Sequence, residues 1–229
     1  MRRSLVVSLA LLAIVKSPAV AQTCMGLASF SAAPMQVTAN GQFSDLSNTF
    51  GASVGYGIPS GVYGNLGVST TSIDQVDGSQ LGISARAGYQ MTVGKSRQVQ
   101  VCPNASFGLG MGPNDDASGV DQSGRSATLG LNIGTVLGAN PRMKIIPSAG
   151  LSYAYGKQKA EDDTGATLFE VSDSYGLAQL GVGLVLNQHI SVRPSVEIPL
   201  GLEGSDPTFG LTLGYNFGSS SRAASSRRH

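Results

Sequence analysis

The segment Thr208-Phe-Gly-Leu-Thr-Leu-Gly-Tyr-Asn-Phe217 alternates strictly between two kinds of side chain. One parity holds only large apolar residues, namely Phe209, Leu211, Leu213, Tyr215 and Phe217. The other parity holds only Thr, Gly and Asn. Because successive side chains of a strand point to opposite faces, the segment predicts a β-strand with one apolar face and one small, polar face.

The same alternation recurs towards the N-terminus and predicts ten strands. They lie near residues 35–44, 49–58, 61–71, 80–93, 98–111, 125–138, 142–156, 174–187, 189–201 and 208–217. Most have about ten residues or more, the length that a tilted strand needs to cross a bilayer. The second parity is mostly Gly, Ser, Thr, Asn and Gln, whereas a soluble sheet would show more Lys and Glu there. An apolar exterior around a polar interior is typical of a barrel in lipid.

Composition favours the same class of protein. The chain has 229 residues, of which 13% are charged and 31 are glycine. Charged residues are about half as frequent as in ordinary globular proteins. The net charge of +1 lacks the basic surplus of a nucleic-acid-binding protein, and the 41% apolar content argues against disorder. We therefore predict an all-β chain that forms a closed antiparallel up-and-down transmembrane β-barrel of ten strands, with eight strands as the alternative.

The N-terminus has the features of an export signal. Arg2 and Arg3 precede the apolar run 5–15, and Ala19-Val20-Ala21 supplies a small-x-small cleavage site. The apolar run is shorter than the roughly 20 residues that a membrane-spanning helix needs. The predicted organisation is a signal peptide over 1–21, a periplasmic or lumen segment over 22–34, the barrel over 35–217, and a disordered basic tail over 218–229.

Connections between the predicted strands alternate in length and in charge. Tight turns at 57–61, 93–98, 138–142 and 186–189 alternate with longer connections, among them 112–124 and 156–173. Outer-membrane barrels have short periplasmic turns and longer extracellular loops. Nearly all acidic residues fall in or beside the longer connections. The tight turns instead carry Lys95, Arg97, Arg142 and Lys144, and the basic exceptions on the outer side are Arg125, Lys157 and Lys159. Both ends of the barrel are therefore expected on the periplasmic side.

The export signal, the alternating strands and the closing segment 208–217 resemble the small outer-membrane β-barrel proteins of Gram-negative bacteria, of the OmpA-like and OmpW-like kind. In that group a final strand of this type resembles the signal that the barrel-assembly machinery reads. The resemblance implies insertion by that machinery into the cell outer membrane, in contact with its lipid and lipopolysaccharide. Here residues 218–229 follow Phe217, whereas members of the group usually end on the aromatic residue.

The two cysteines predict a disulfide, with two free thiols as the alternative. Export makes the bond chemically permissible. Val99 and Val101 take the lipid-facing parity, so Gln100 and Cys102 should face the lumen near the periplasmic end. Cys24 lies about ten residues before the first strand, at the same end. A Cys24–Cys102 bridge would fold segment 22–34 into or across the lumen.

Two further groups of charged residues are candidate sites. Arg86, Arg193 and Glu197 take lumen-facing parity, where they could form either a buried pairing that satisfies Glu197 or a selectivity constriction. The acidic connections could bind Ca²⁺ or Mg²⁺ through carboxylate oxygens, although solvated loop charge is the simpler interpretation. The residues concerned are Asp115, Asp116, Glu161, Asp162 and Asp163.

Catalytic signals are missing from the sequence. Its two histidines, His189 and His229, lie in a tight turn and at the C-terminus, away from the outer rim. No zinc-binding Cys/His spacing is present. We therefore expect a monomeric, non-enzymatic outer-membrane barrel without cofactor, in a structural or surface-interaction role. A narrow porin-like channel and a secreted soluble β domain are the alternatives, since ten strands lie between filled eight-stranded barrels and open 16–18-stranded ones.

Overall fold

The structure, a computed structural model, describes residues 23–28, 30, 33–74, 78–93, 99–112, 120–137, 142–162, 164–201 and 205–218. The predicted signal peptide 1–21 and the tail from residue 219 onward lie outside these residues, as do Asp115, Asp116 and Asp163. Within the described ranges, no helix combines the length and apolar character required to cross a membrane.

Almost every described segment belongs to a strand. A single 3₁₀ turn, Thr23–Met25, precedes the strands β1 Met35–Phe43, β2 Ser47–Gly57, β3 Val62–Ile73, β4 Ser79–Tyr89, β5 Met91–Val93, β6 Val99–Met111, β7 Val120–Thr135, β8 Met143–Asp162, β9 Thr167–Leu186, β10 Ile190–Leu200 and β11 Thr208–Phe217. Both β4 and β5 pair with β6. They are therefore two segments of one barrel strand that is interrupted at Gln90.

The strands close into a barrel. Each pairs with its sequence neighbour in antiparallel fashion, and β1 pairs with β11 from Met35↔Phe217 to Phe43↔Phe209. With β4 and β5 counted as one strand, the described residues form a closed up-and-down barrel of ten strands. The ten-strand prediction is confirmed, and the eight-strand alternative is wrong.

The barrel is apolar outside and polar inside. The outward side chains of Leu129, Leu151 and Phe209 are 66%, 64% and 63% exposed on the isolated chain. Inward positions instead bury polar side chains such as Gln100 and Asn216. A soluble protein could not hold so continuous an apolar surface in water, whereas a closed barrel in lipid satisfies its backbone groups between strands. The alternative of a secreted soluble β domain is therefore wrong, and the protein spans the outer membrane.

One hairpin is much longer than the sequence predicts. The connection assigned to residues 156–173 is mostly ladder, because β8 and β9 stay paired from Gly156↔Asp173 to Glu161↔Thr167. The neighbouring β10 stops pairing with β9 at Leu200↔Gly176. The outer parts of β7, β8 and β9 therefore project as a three-stranded sheet beyond the rest of the barrel, and we call this part the outer sheet.

Candidate functional site: the plugged lumen

The described N-terminal residues lie inside the periplasmic end of the barrel, and we call residues 23–28, 30, 33 and 34 the plug. Cys24 forms a disulfide with Cys102 on the inner wall of β6, with their Cα atoms 6.0 Å apart. The two cysteines are 1% and 0% exposed. Phe30 lies over Tyr63 with ring centroids 6.4 Å apart, so an apolar cluster surrounds the disulfide.

Polar side chains of three adjacent strands hold the plug at Ala28. The Ala28 backbone N–H donates to Ser191 Oγ of β10 at 2.8 Å. The Ala28 carbonyl accepts from Gln36 Nε2 of β1 at 3.4 Å and from Asn216 Nδ2 of β11 at 3.5 Å. Gln36 Nε2 also donates to Asn216 Oδ1 at 2.7 Å. Since buried backbone groups without partners are costly, these contacts permit an irregular segment to sit inside the barrel.

Two glycines of the barrel wall make room for the plug. A Cβ built on Gly183 of β9 would collide with the backbone carbonyl of Gly26. A Cβ built on Gly57 of β2 would collide with the ring of Phe30. The plug therefore approaches the wall at positions where any larger residue would displace it.

Two connected cavities lie in the lumen above the plug. The inner cavity has a volume of about 330 Å³, and the outer one has a volume of about 340 Å³. They share four lining residues, Ser69, Ser84, Gly108 and Ser126. Met25 and Leu27 of the plug line the inner cavity, and the outer cavity continues from it towards the end of the barrel with the outer sheet.

The inner cavity brings together the three predicted lumen charges. Arg86 of β4 and both Arg193 and Glu197 of β10 line it, and they are the only charged residues in its described lining. Five positions separate β4 from β10 around a ring of ten, so Arg86 lies opposite the other two. A strand spacing of about 4.8 Å and a tilt of about 40° give a backbone diameter of about 20 Å.

That width explains why the expected pairing of Glu197 is not seen. The salt bridges between described residues are Lys157–Glu170 and Lys159–Glu161, both outside the lumen. Glu197 Oε2 instead accepts a hydrogen bond from Gln179 Nε2 of β9 at 3.4 Å. The sequence therefore placed the charged residues in one site, but the interpretation as a buried Arg–Glu pair is not supported.

Arg193 is held rigidly at the floor of this cavity. The residue is 8% exposed, and its buried Nε has no hydrogen-bond partner among the described residues. A Cβ on Gly181 of β9 would lie 2.8 Å from Arg193 Nη2, and one on Gly26 would lie 2.9 Å from Nε. The guanidinium is thus packed between the barrel wall and the plug.

The described acidic residues of the predicted cation loops already have protein partners. Lys159 Nζ donates to Glu161 Oε1 at 2.6 Å. Asp162 Oδ1 accepts from the hydroxyl and N–H of Thr164 at 2.6 and 3.0 Å, and from the N–H of Ala166 at 2.8 Å. The Thr164 hydroxyl in particular holds the pKa of Asp162 below its ordinary value. Within the described ranges, no cluster of three or more Asp, Glu, His or Cys could hold a metal ion.

Glu161 and Asp162 are the last two residues of β8 and do not lie in a loop. The prediction of a cation site at Asp115, Asp116 and Asp163 stays a prediction, since those residues lie outside the described ones.

The structure also shows an outward-facing cluster that the sequence interpretation did not assemble. Arg125 of β7 pairs across the ladder with Lys157 of β8. Lys157 Nζ lies 2.6 Å from Glu170 Oε1, and this contact holds the pKa of Glu170 below its ordinary value. We call Arg125, Lys157, Lys159, Glu161 and Glu170 the outer charge cluster. Continuing the strand parity beyond residue 156 would have placed these residues on one face.

The outer charge cluster lies directly above an apolar and aromatic surface. Tyr153 and Tyr155 precede Lys157 at two-residue spacing on the same outward face of β8, and both are exposed. Aromatic residues at this level mark the interface between lipid and water in membrane barrels. The cluster is therefore placed at the headgroup level of the outer leaflet.

Comparisons with known proteins show the fold of this chain but do not assign the chain to a family. No protein-family description matches the chain, and no curated protein matches it. Among solved structures, the translocator domain of the autotransporter NalP from Neisseria meningitidis has a TM-score of 0.53 at 14% identity, over 81% of this chain and 88% of that one. The Bordetella autotransporter BrkA β domain (TM-score 0.47, 14% identity, 81% and 100% covered) and Ail of Yersinia pestis (0.41, 13%, 81% and 99%) are also similar. The chain thus has the fold of outer-membrane β-barrels.

Proposed function

We propose that this protein is a plugged, non-conducting outer-membrane barrel with a structural and surface-interaction role. The plug supports this proposal most directly. It fills the periplasmic end, it is cross-linked to β6, and it is hydrogen-bonded to β1, β10 and β11. A solute in the lumen would have to displace all of these contacts to reach the periplasm.

The outer sheet and the outer charge cluster support lipopolysaccharide as the surface partner. Lipopolysaccharide phosphates lie at the headgroup level, where Arg125 and Lys157 take the outward strand parity beyond the tyrosines, with Arg125 exposed and Lys157 half-buried at the rim of the outer cavity. Charge-assisted hydrogen bonds from Arg and Lys are the usual contacts to phosphate. Insertion itself would depend on the barrel-assembly machinery acting on β11.

A non-enzymatic role agrees with the position of the one described histidine. His189 Nδ1 lies 2.9 Å from the backbone carbonyl of Asn216 at the periplasmic end. No described carboxylate is recorded as its partner, and the outer rim lies at the opposite end of the barrel.

Planar-bilayer recording tests the closed barrel. We expect the oxidised, full-length mature protein to give no conductance steps at moderate voltage, because the plug blocks the lumen. Regular single-channel steps from that protein would contradict the proposal. Heat-modifiable gel migration, which distinguishes folded from unfolded barrels, confirms that the silent sample is inserted and folded.

Lipopolysaccharide retention tests the surface role. We expect the double variant Arg125→Gln/Lys157→Gln to retain less lipopolysaccharide after detergent extraction than the wild type. Arg86→Gln is the matched control, because it removes an arginine from the lumen instead of the outer face. Equal retention in all three proteins would exclude this partner site.

A narrow channel is the second candidate function. The continuity of the two polar cavities favours it, since together they lead from the outer mouth to the plug. On this alternative the plug must leave the lumen before solute passes. Conductance from the oxidised wild type would support the channel and contradict the closed barrel.

A further inference from the structure

We propose that the inner cavity is a binding site for a small oxyanion, namely a carboxylate- or phosphate-bearing solute of about monosaccharide size that enters from outside the cell. This proposal goes beyond the surface role, since it concerns the lumen. It rests on the charge of the inner cavity, the packing of the Arg193 side chain, and the connection between the two cavities.

The cavity has an uncompensated positive charge. Arg86 and Arg193 line it from opposite walls, and among the described residues Glu197 is the only negative group in its lining. Neither arginine is in a salt bridge between described residues. Since the lumen wall reduces screening relative to bulk water, an anion is attracted by both guanidinium groups.

Arg193 is arranged as a preorganised donor. Gly26 and Gly181 clamp its guanidinium, so little side-chain freedom remains to be lost when a ligand binds. Arginine presents a fixed fork of N–H donors that matches the geometry of carboxylate and phosphate. Arg193 also lines the inner cavity, so its charge acts on a ligand bound there.

The remaining lining is suited to a hydroxylated solute. Around the arginines lie neutral polar side chains on several strands, among them Gln36, Thr38, Asn40, Ser53, Ser106 and Thr212. A volume of about 330 Å³ lies at the lower end of the range for small-molecule sites. The outer cavity provides the approach, and the plug forms the floor. The barrel wall keeps lipid headgroups out of this space.

Isothermal titration calorimetry on the oxidised mature protein, in a zwitterionic detergent free of lipopolysaccharide, tests the proposal. Inorganic phosphate and glucuronate are the probes, and glucose is the neutral control. We expect saturable binding of at least one anion, weaker binding at high salt, and no binding of glucose. Equal binding of glucuronate and glucose, or no binding of either anion, would overturn the proposal.

Three variants locate the site within the lumen. We expect Arg86→Gln and Arg193→Gln each to weaken anion binding at least tenfold, because each removes a charged donor or its field. Glu197→Gln should strengthen binding several-fold, because it removes the one negative charge. Lys159→Gln on the outer sheet is the matched control, because Lys159 lines neither cavity, and it should bind as the wild type does. If Arg193→Gln does not fold, the affinities of Arg86→Gln and Glu197→Gln still show whether the anion binds in the inner cavity.

Two further outcomes would refute the anion site without contradicting the closed barrel. Unchanged affinity in both Arg86→Gln and Glu197→Gln would place any bound anion outside the cavity and refute the site. Loss of binding in Lys159→Gln alone would assign the anion to the outer sheet, which also refutes it. Neither result alters the conductance expected of the plugged barrel.

Discussion

Loss of the Cys24–Cys102 disulfide should lower the free energy of unfolding substantially. The bond closes a loop with a sequence separation of 78 residues. For a loop of that length, the chain-entropy relation gives about 4.5 kcal/mol at 25 °C, mostly from the restricted unfolded chain. The bond should also keep the plug in place when strands fray, because it joins the plug to a buried position on β6.

The measurement compares oxidised and reduced wild type, refolded in the same detergent and then unfolded in guanidinium. Gel migration without boiling reports the folded fraction. Reduction leaves both side chains in place, so no cavity complicates the comparison, and Cys24→Ala/Cys102→Ala serves as a second check. We expect the reduced form to unfold at lower denaturant. A difference in unfolding free energy below about 1 kcal/mol would refute the argument that this loop closure restricts the unfolded chain.

Three further predictions concern single positions. Gly183→Ala should displace the plug and raise hydrogen exchange of its amides, whereas Gly156→Ala, with nothing within 4 Å of its Cβ, should not. Phe30→Ala should cost about 3 kcal/mol of unfolding free energy in the guanidinium assay, and an unchanged midpoint would contradict its buried position. The turn at Asp162 should loosen as pH falls through a folded pKa that lies below the ordinary value. An NMR titration follows this transition, and Thr164→Ala should move it to higher pH.

Strand parity predicted the barrel well because lipid and lumen impose opposite demands on alternate residues. Each apolar band, such as Leu129, Leu131 and Ile133, marks the part of a strand that lies in hydrocarbon. The pattern ends where the chain enters water, although the hydrogen-bonded ladder continues. The strands β8 and β9 were therefore predicted too short, since Lys157, Gln158 and Lys159 carry no apolar alternation.

The plug was predicted in outline but not in detail. Parity and export were enough to place Cys102 in the lumen and to pair it with Cys24. Parity alone could not show that Gln36, Ser191 and Asn216 would converge on one peptide group, because they lie on three strands distant in sequence. Likewise, the sequence indicated which charged residues face the lumen but not the width that separates them.

The burial of Cys102 has a consequence for the order of biogenesis. In the finished barrel the sulfur atoms lie behind the plug and the β6 wall, with Cys102 0% exposed. A thiol oxidase must reach a sulfur to transfer a disulfide, so the bond has to form before the plug packs over Cys102. Oxidation of an open chain would enclose the first five strand segments, β1 to β5, in a covalent loop before the plug packs.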